Sequence, residues 1–180
     1  MSNFRDDLND LDLVCFFDYW AALCGDRPMP ARKDIDPTQI RPAYLPDLML
    51  IDVLHDPRRY RYRLVGTNVV QATGADRTGQ FSDDVSFFQA YPIVLQQYDR
   101  VVETRQPLYS VEKFTNLENQ TNYDVDRLLL PLSRNGRLVD MLLVFFQFRS
   151  GPCMSRSASW RSASVNAKYW TSTPPRVVAA

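Results

Sequence analysis

Residues 60–67, Tyr60-Arg61-Tyr62-Arg63-Leu64-Val65-Gly66-Thr67, decide how the rest of the chain is read. Side chains alternate there at the two-residue period of a strand, which the pattern starts at residue 59. Tyr60, Tyr62 and Leu64 fall on one face, and Arg59, Arg61 and Arg63 on the other. Gly66 ends the strand. Thr67 to Thr73 reads as a short helix stopped by Gly74, and Asp76-Arg77-Thr78-Gly79 makes a second turn.

Upstream, residues 48–54 (LMLIDVL) are apolar nearly throughout and predict a central strand, joined to the first by a turn at His55-Asp56-Pro57-Arg58. Residues 11–24 predict a helix. Asn9 or Asp10 can cap it, Gly25 stands just past its end, and Pro28 lies beyond. Leu13, Phe16, Phe17, Trp20 and Cys24 make an apolar stripe that Val14, Tyr19 and Leu23 widen. A helix apolar on most sides has to be covered on most sides. One side is expected on the domain's own sheet. The other is expected on a second subunit, with Leu13, Phe16, Phe17 and Trp20 as the candidate dimer interface. Residues 27–35 (RPMPARKDI) predict an extended strap, because a residue before proline is pushed out of the helical region. Asp36-Pro37 looks like the opening of a short helix through Ile40.

Downstream, residues 89–105 predict the longest later helix, with Val94, Tyr98, Val101 and Val102 inward and Pro107 beyond its end. Three strands are expected after it, over 108–115, 123–133 and 138–148. Asn135-Gly136 gives the strongest hairpin signal in the chain. The last strand is apolar on both faces, so it is expected to be central and covered twice. The resulting fold class is α+β. A five-stranded antiparallel sheet carries helices between strands two and three and an N-terminal helix. Residues 1–47 form the helix and proline-rich strap, 48–149 the domain, and 150–180 a tail without periodicity, expected to be disordered.

Twenty-one basic residues balance twenty-one acidic ones, so there is no basic excess of the kind that marks a nucleic-acid-binding domain. Three cysteines (Cys15, Cys24, Cys153) without a CxxC pair argue against a disulfide framework and suit a reducing cytoplasm. The N-terminus is acidic and unlike a signal peptide, and the longest apolar stretch, residues 11–24, is too short for a membrane span. A soluble cytoplasmic protein is expected.

The order of elements and several local motifs resemble one family. YRLVGT, then DRTGQ, then a helix ending near Arg105-Gln106-Pro107, then Arg127-Leu128-Leu129-Leu130-Pro131-Leu132, are similar to a family of small stand-alone bacterial PAS-domain proteins. Tyr19-Trp20, Arg27-Pro28-Met29-Pro30, Asp34-Ile35-Asp36-Pro37 and Leu45-Pro46 extend the likeness. The resemblance covers about residues 18–148. It implies a PAS fold and a sensory or regulatory role in signalling, exercised through partners. It brings no shared catalytic residue.

Chemistry narrows little further. The one histidine, His55, sits in a turn, a poor place for a haem ligand, and residues 66–78 contain no cysteine for flavin photochemistry. Cys15 and Cys24 lie on the apolar helix and are expected to be buried structural thiols. Nucleophile triads fail for want of a histidine base, and no metal-ligand spacing or phosphate-binding loop occurs. No cofactor, metal or catalytic residue is expected. Asp124 and Asp126 share a strand face and are expected to be solvated. The arginines at 59, 61 and 63 form a basic strip, expected to be solvated or paired with Asp12 or Asp18. The remaining constellation is a candidate ligand pocket of Tyr60, Tyr62, Asn68, Thr73, Tyr98 and Tyr123, whose tyrosines offer apolar bodies with polar tips. The bland reading, which weighs more, is that these are core tyrosines with satisfied hydroxyls.

The expected function is a PAS-type module that binds a small ligand, a signalling protein partner or both, without catalysis, and forms a homodimer through the first helix and its strap. Two alternatives stay open. One is an isomerase-like enzyme on a cone-shaped α+β fold, using Asp52 or Asp126 with Tyr62. The other is a scaffold protein acting through Trp160 and Trp170 of the tail.

Overall fold

Helix α1 spans Leu11–Cys24, the bounds the sequence predicts. The Asp10 side chain accepts from the Asp12 backbone N–H at 2.8 Å, and Gly25 ends the helix at φ +55°, which glycine adopts without strain. The structure is a computed structural model and describes residues 4–84, 91–116, 120–149 and 178–179. Most of the 150–180 tail, with Trp160 and Trp170, lies outside the described residues.

Five strands form one antiparallel sheet: β1 (Leu48–His55), β2 (Arg58–Val65), β3 (Leu108–Thr115), β4 (Asn122–Leu132) and β5 (Met141–Phe148), in the order β2-β1-β5-β4-β3. Between β2 and β3 in sequence lie α2 (Thr67–Thr73) and α3 (Ile93–Thr104). The expected α+β architecture is therefore present. The region read as a tail contributes one described piece, β6 (Val178–Ala179), paired with Leu108 and Tyr109 on the free edge of β3.

The two faces of the sheet carry different layers. On one, Phe16 of α1 and Tyr44 pack on Phe145 at 4.7 and 5.0 Å between ring centroids. On the other, Tyr98 of α3 meets Tyr60 at 5.3 Å. Strand β5 lies between the layers, and Met141 to Phe146 are buried without a break, as two-sided covering requires.

Four local expectations are corrected. A one-residue bulge at Arg63 interrupts the alternation of β2, since Leu50 pairs with Leu64 and Ile51 with Tyr62. The extra residue moves every later side chain to the opposite face. Leu64 consequently leaves the tyrosine face and is 45% exposed. The connection at Asn135-Gly136 is longer than a tight hairpin, because β4 ends at Leu132 and β5 starts at Met141, with Leu138 54% exposed. Asn135 Oδ1 organises that loop by accepting from the Arg137 and Leu138 backbone N–H groups. The strap contains a 3-10 turn at Arg32–Asp34, while the segment after Asp36 is a turn; a further 3-10 helix, Pro42–Asp47, leads into β1. The later helix begins at Ile93, and residues 89 and 90 lie outside the described set.

The covering of α1 also differs. Leu13, Phe16 and Trp20 are buried within the single chain, and the Trp20 Nε1–H donates to the Pro131 carbonyl at 3.1 Å. Phe17 is half-buried between Phe4 and Trp20, at 5.1 and 5.9 Å. The 3-10 turn Phe4–Asp7 thus covers the side assigned to a second subunit. The face left exposed carries Leu11, Cys15, Asp18 and Ala22. Cys15 is exposed and Cys24 half-buried, against the expectation of two buried thiols.

Candidate functional site

Between the sheet, α2 and α3 lies a cavity of about 60 Å³. Strand β2 brings Tyr62 and, because of the bulge, Val65 to it; α2 brings Val69 and Thr73. Gly66 allows this junction. Its N–H donates to the Leu48 carbonyl at 2.8 Å, and a Cβ at that position would stand 2.3 Å from the Pro46 carbonyl oxygen. Helix α3 supplies Val94 and Tyr98, and Phe146 and Phe148 of β5 form much of the floor.

Of the six predicted pocket residues, Tyr62, Thr73 and Tyr98 line the cavity. The Tyr62 and Tyr98 hydroxyls are hydrogen-bonded to each other. Burial pushes the Tyr98 phenol up to about 12 and holds Tyr62 well above the ordinary tyrosine range, so both are neutral donors and acceptors. The other three residues have structural roles. The Tyr60 hydroxyl donates to Asp99 Oδ1 at 2.5 Å, tying β2 to α3. Asn68 Nδ2 donates to Asp47 Oδ1 at 2.6 Å. Tyr123 is buried with its ring stacked on Phe114 at 5.0 Å.

Charged residues at the cavity escaped the sequence reading. Arg127 of β4 is only 4% exposed and lines it. Its Nη2 donates to Gln97 Oε1 and lies 3.5 Å from Glu112 Oε1, and Gln97 Nε2 donates to the same Glu112 oxygen at 2.6 Å. Arg127 Nε has no hydrogen-bond partner among the described residues. A buried donor left unmet costs about 1–3 kcal/mol, so it needs a reason to persist. Arg77, in the turn after α2, also lines the cavity, half-buried and without a carboxylate partner among the described residues. The available signal was a lone arginine heading the apolar run 127–132.

The opposite face of β4 holds a second buried charge. Asp126 is fully buried, so the expectation of a solvated carboxylate is corrected for it. The Tyr109 hydroxyl lies 2.7 Å from Asp126 Oδ2 and 2.8 Å from Asn9 Oδ1, and Arg149 Nη2 donates to both Asp126 Oδ2 and Asn9 Oδ1. Burial raises the Asp126 carboxyl against the opposing pull of Arg149 and Tyr109. Asp124 remains partly exposed and meets Lys113 at 3.3 Å.

The basic strip of β2 finds partners other than those expected. Arg61 meets Asp52 at 2.8 Å, Arg63 meets it at 3.5 Å, and Arg59 meets Asp83 at 2.8 Å. Asp18 pairs with Arg5, and Asp12 accepts from Tyr44 and Arg41. Neither Asp52 nor Asp126 lines the cavity that Tyr62 lines, so the isomerase-like pairing is not assembled. His55 is exposed at the end of β1, with its Nε2–H directed to the Val139 carbonyl at 3.0 Å.

A family model described as a PAS domain matches residues 11–144. No curated protein and no solved structure matches the chain. No helix among the described residues is long and apolar enough to cross a membrane.

Proposed function

The chain belongs to the PAS domain family, and from that premise we propose a regulatory module that works by binding a small ligand in the cavity between α2, α3 and the sheet. The observation that carries this reading is Arg127: a buried cation at the cavity wall with an unmet Nε donor. A core filled only by its own side chains gains nothing from such a group.

The response would be a population shift. Arg127 is followed back along β4 by Asp126, which holds Tyr109, Arg149 and, through them, Asn9 at the start of α1. A ligand that repositions Arg127 favours one seating of the N-terminal segment over another, and a signalling partner reads that segment. The dimer expected through Leu13, Phe16, Phe17 and Trp20 is not carried into this reading. Three of those side chains are inside the chain's own core, and the exposed face of α1 offers Leu11 as its one large apolar side chain.

Mass spectrometry of small molecules released on denaturing the purified protein, beside its absorption spectrum, tests the reading. A stoichiometric compound identifies the signal. A protein that releases nothing and binds none of a panel of small metabolites would be a protein-binding adaptor with a closed core.

A further inference from the structure

We propose that the ligand is a small monocarboxylate with a short apolar tail, an inference that rests on the cavity being a ligand site. Three observations converge on it.

Size comes first. A cavity of about 60 Å³ lies far below the ~300–1,000 Å³ of sites for drug-sized ligands. That scale points to a small molecule.

Charge comes second. The cavity is lined by three cations, Arg77, Lys113 and Arg127, and one carboxylate, Glu112. Arg127 is met by Glu112, and Lys113 by Asp124 from outside the lining. Arg77 is left as one positive charge without a carboxylate among the described residues. A monoanion balances it; a dianion overcompensates, and a cation adds repulsion.

Donors come third. Arg127 lines the cavity, and its guanidinium can only donate. Guanidinium N–H groups match carboxylate oxygens in geometry as well as charge. Val65, Val69, Phe146 and Phe148 supply hydrocarbon contact for the tail.

Calorimetric titration of the full chain with propionate, propionamide, propylamine, succinate and inorganic phosphate tests the proposal. Propionate is expected to bind at least tenfold more tightly than propionamide, with no binding of propylamine. Arg77→Gln, at a half-buried turn position, is expected to weaken propionate about tenfold and leave propionamide unchanged. Arg127→Lys probes the inner group, and if it does not fold, Arg77→Gln still decides. Equal binding of propionate and propionamide overturns the anion assignment and leaves the ligand site standing. Tighter binding of succinate or phosphate overturns the monocarboxylate. No heat from any probe overturns the ligand-site reading itself.

Discussion

Asp126 and Arg127 are consecutive residues of β4, both buried, and their side chains emerge on opposite faces of the sheet. Arg127 looks into the cavity and is held by Gln97 and Glu112; Asp126 looks under the N-terminal segment and is held by Tyr109 and Arg149. A shift of the backbone at this one peptide reaches both layers.

Asp126→Ala is expected to destabilise the chain by about 3 kcal/mol, the low end of what breaking a buried ion pair costs. The low end applies because Arg149 is 43% exposed in its side chain and can turn to solvent. Urea unfolding should show a lower midpoint with an unchanged slope, and amide exchange around Asn9 should quicken. An unchanged midpoint would remove Asp126 from the account of how the N-terminal segment is held.

Gly66→Ala tests the junction of β2 and α2. The added carbon meets three backbone atoms of two carbonyl groups, at 2.3 and 2.6 Å from Pro46 and 2.8 Å from Leu48, and no side chain can swing aside to relieve it. Loss of about 3 kcal/mol is expected, from overpacking without an escape. The φ of Gly66 is −66°, so the effect comes from the close approach and not from backbone preference. A variant as stable as the parent would mean that the Pro42–Asp47 turn yields easily.

Much of this fold was legible because its signals are local. The bounds of α1 follow from Asp10 and Gly25, and those of α2 from Gly66 and Gly74, residues that act within a turn of themselves. What was not legible depends on partners distant in sequence. The bulge at Arg63 has no local signature, and it alone decides that Val65 rather than Leu64 reaches the cavity side. Burial of Asp126 depends on Arg149, 23 residues away, and that of Arg127 on Gln97, 30 residues away. The excess apolar surface of α1 was read correctly, but its cover comes from Phe4 of the same chain. Three of the six pocket candidates line the cavity; the other three are engaged just outside it, Tyr60 with Asp99, Asn68 with Asp47 and Tyr123 with Phe114.

Phe17→Glu bears on the N-terminal layer. Phe17 packs between Phe4 and Trp20, so a carboxylate there loosens the chain's own Phe4–Asp7 turn. A loss of about 1–2 kcal/mol is expected, since the side chain is half-buried and a charge can reach water. The mass in light scattering is expected to stay the same for parent and variant. A parent dimer that the substitution converts to monomers would restore the helix as a subunit interface.

Alkaline pH should act through the cavity tyrosines. Tyr98 in the folded chain holds its proton up to about 12, and Tyr62 is raised well above the ordinary range, in both cases by burial. Unfolded tyrosines lose theirs near ~10. The folded state therefore binds more protons than the unfolded state above that pH. The contribution is fully present below ~10 and is lost as pH rises toward about 12. The urea midpoint should fall through this window, and ultraviolet absorbance should show Tyr62 and Tyr98 ionising only as the chain unfolds. Tyr98→Phe removes one of the two protons, so it should flatten the fall while lowering stability at neutral pH by about 1 kcal/mol for the lost hydroxyl pair. Identical slopes for parent and variant would place the alkaline sensitivity outside the cavity, in groups such as Tyr44, buried against Phe145, whose phenol is also raised to about 12 by burial.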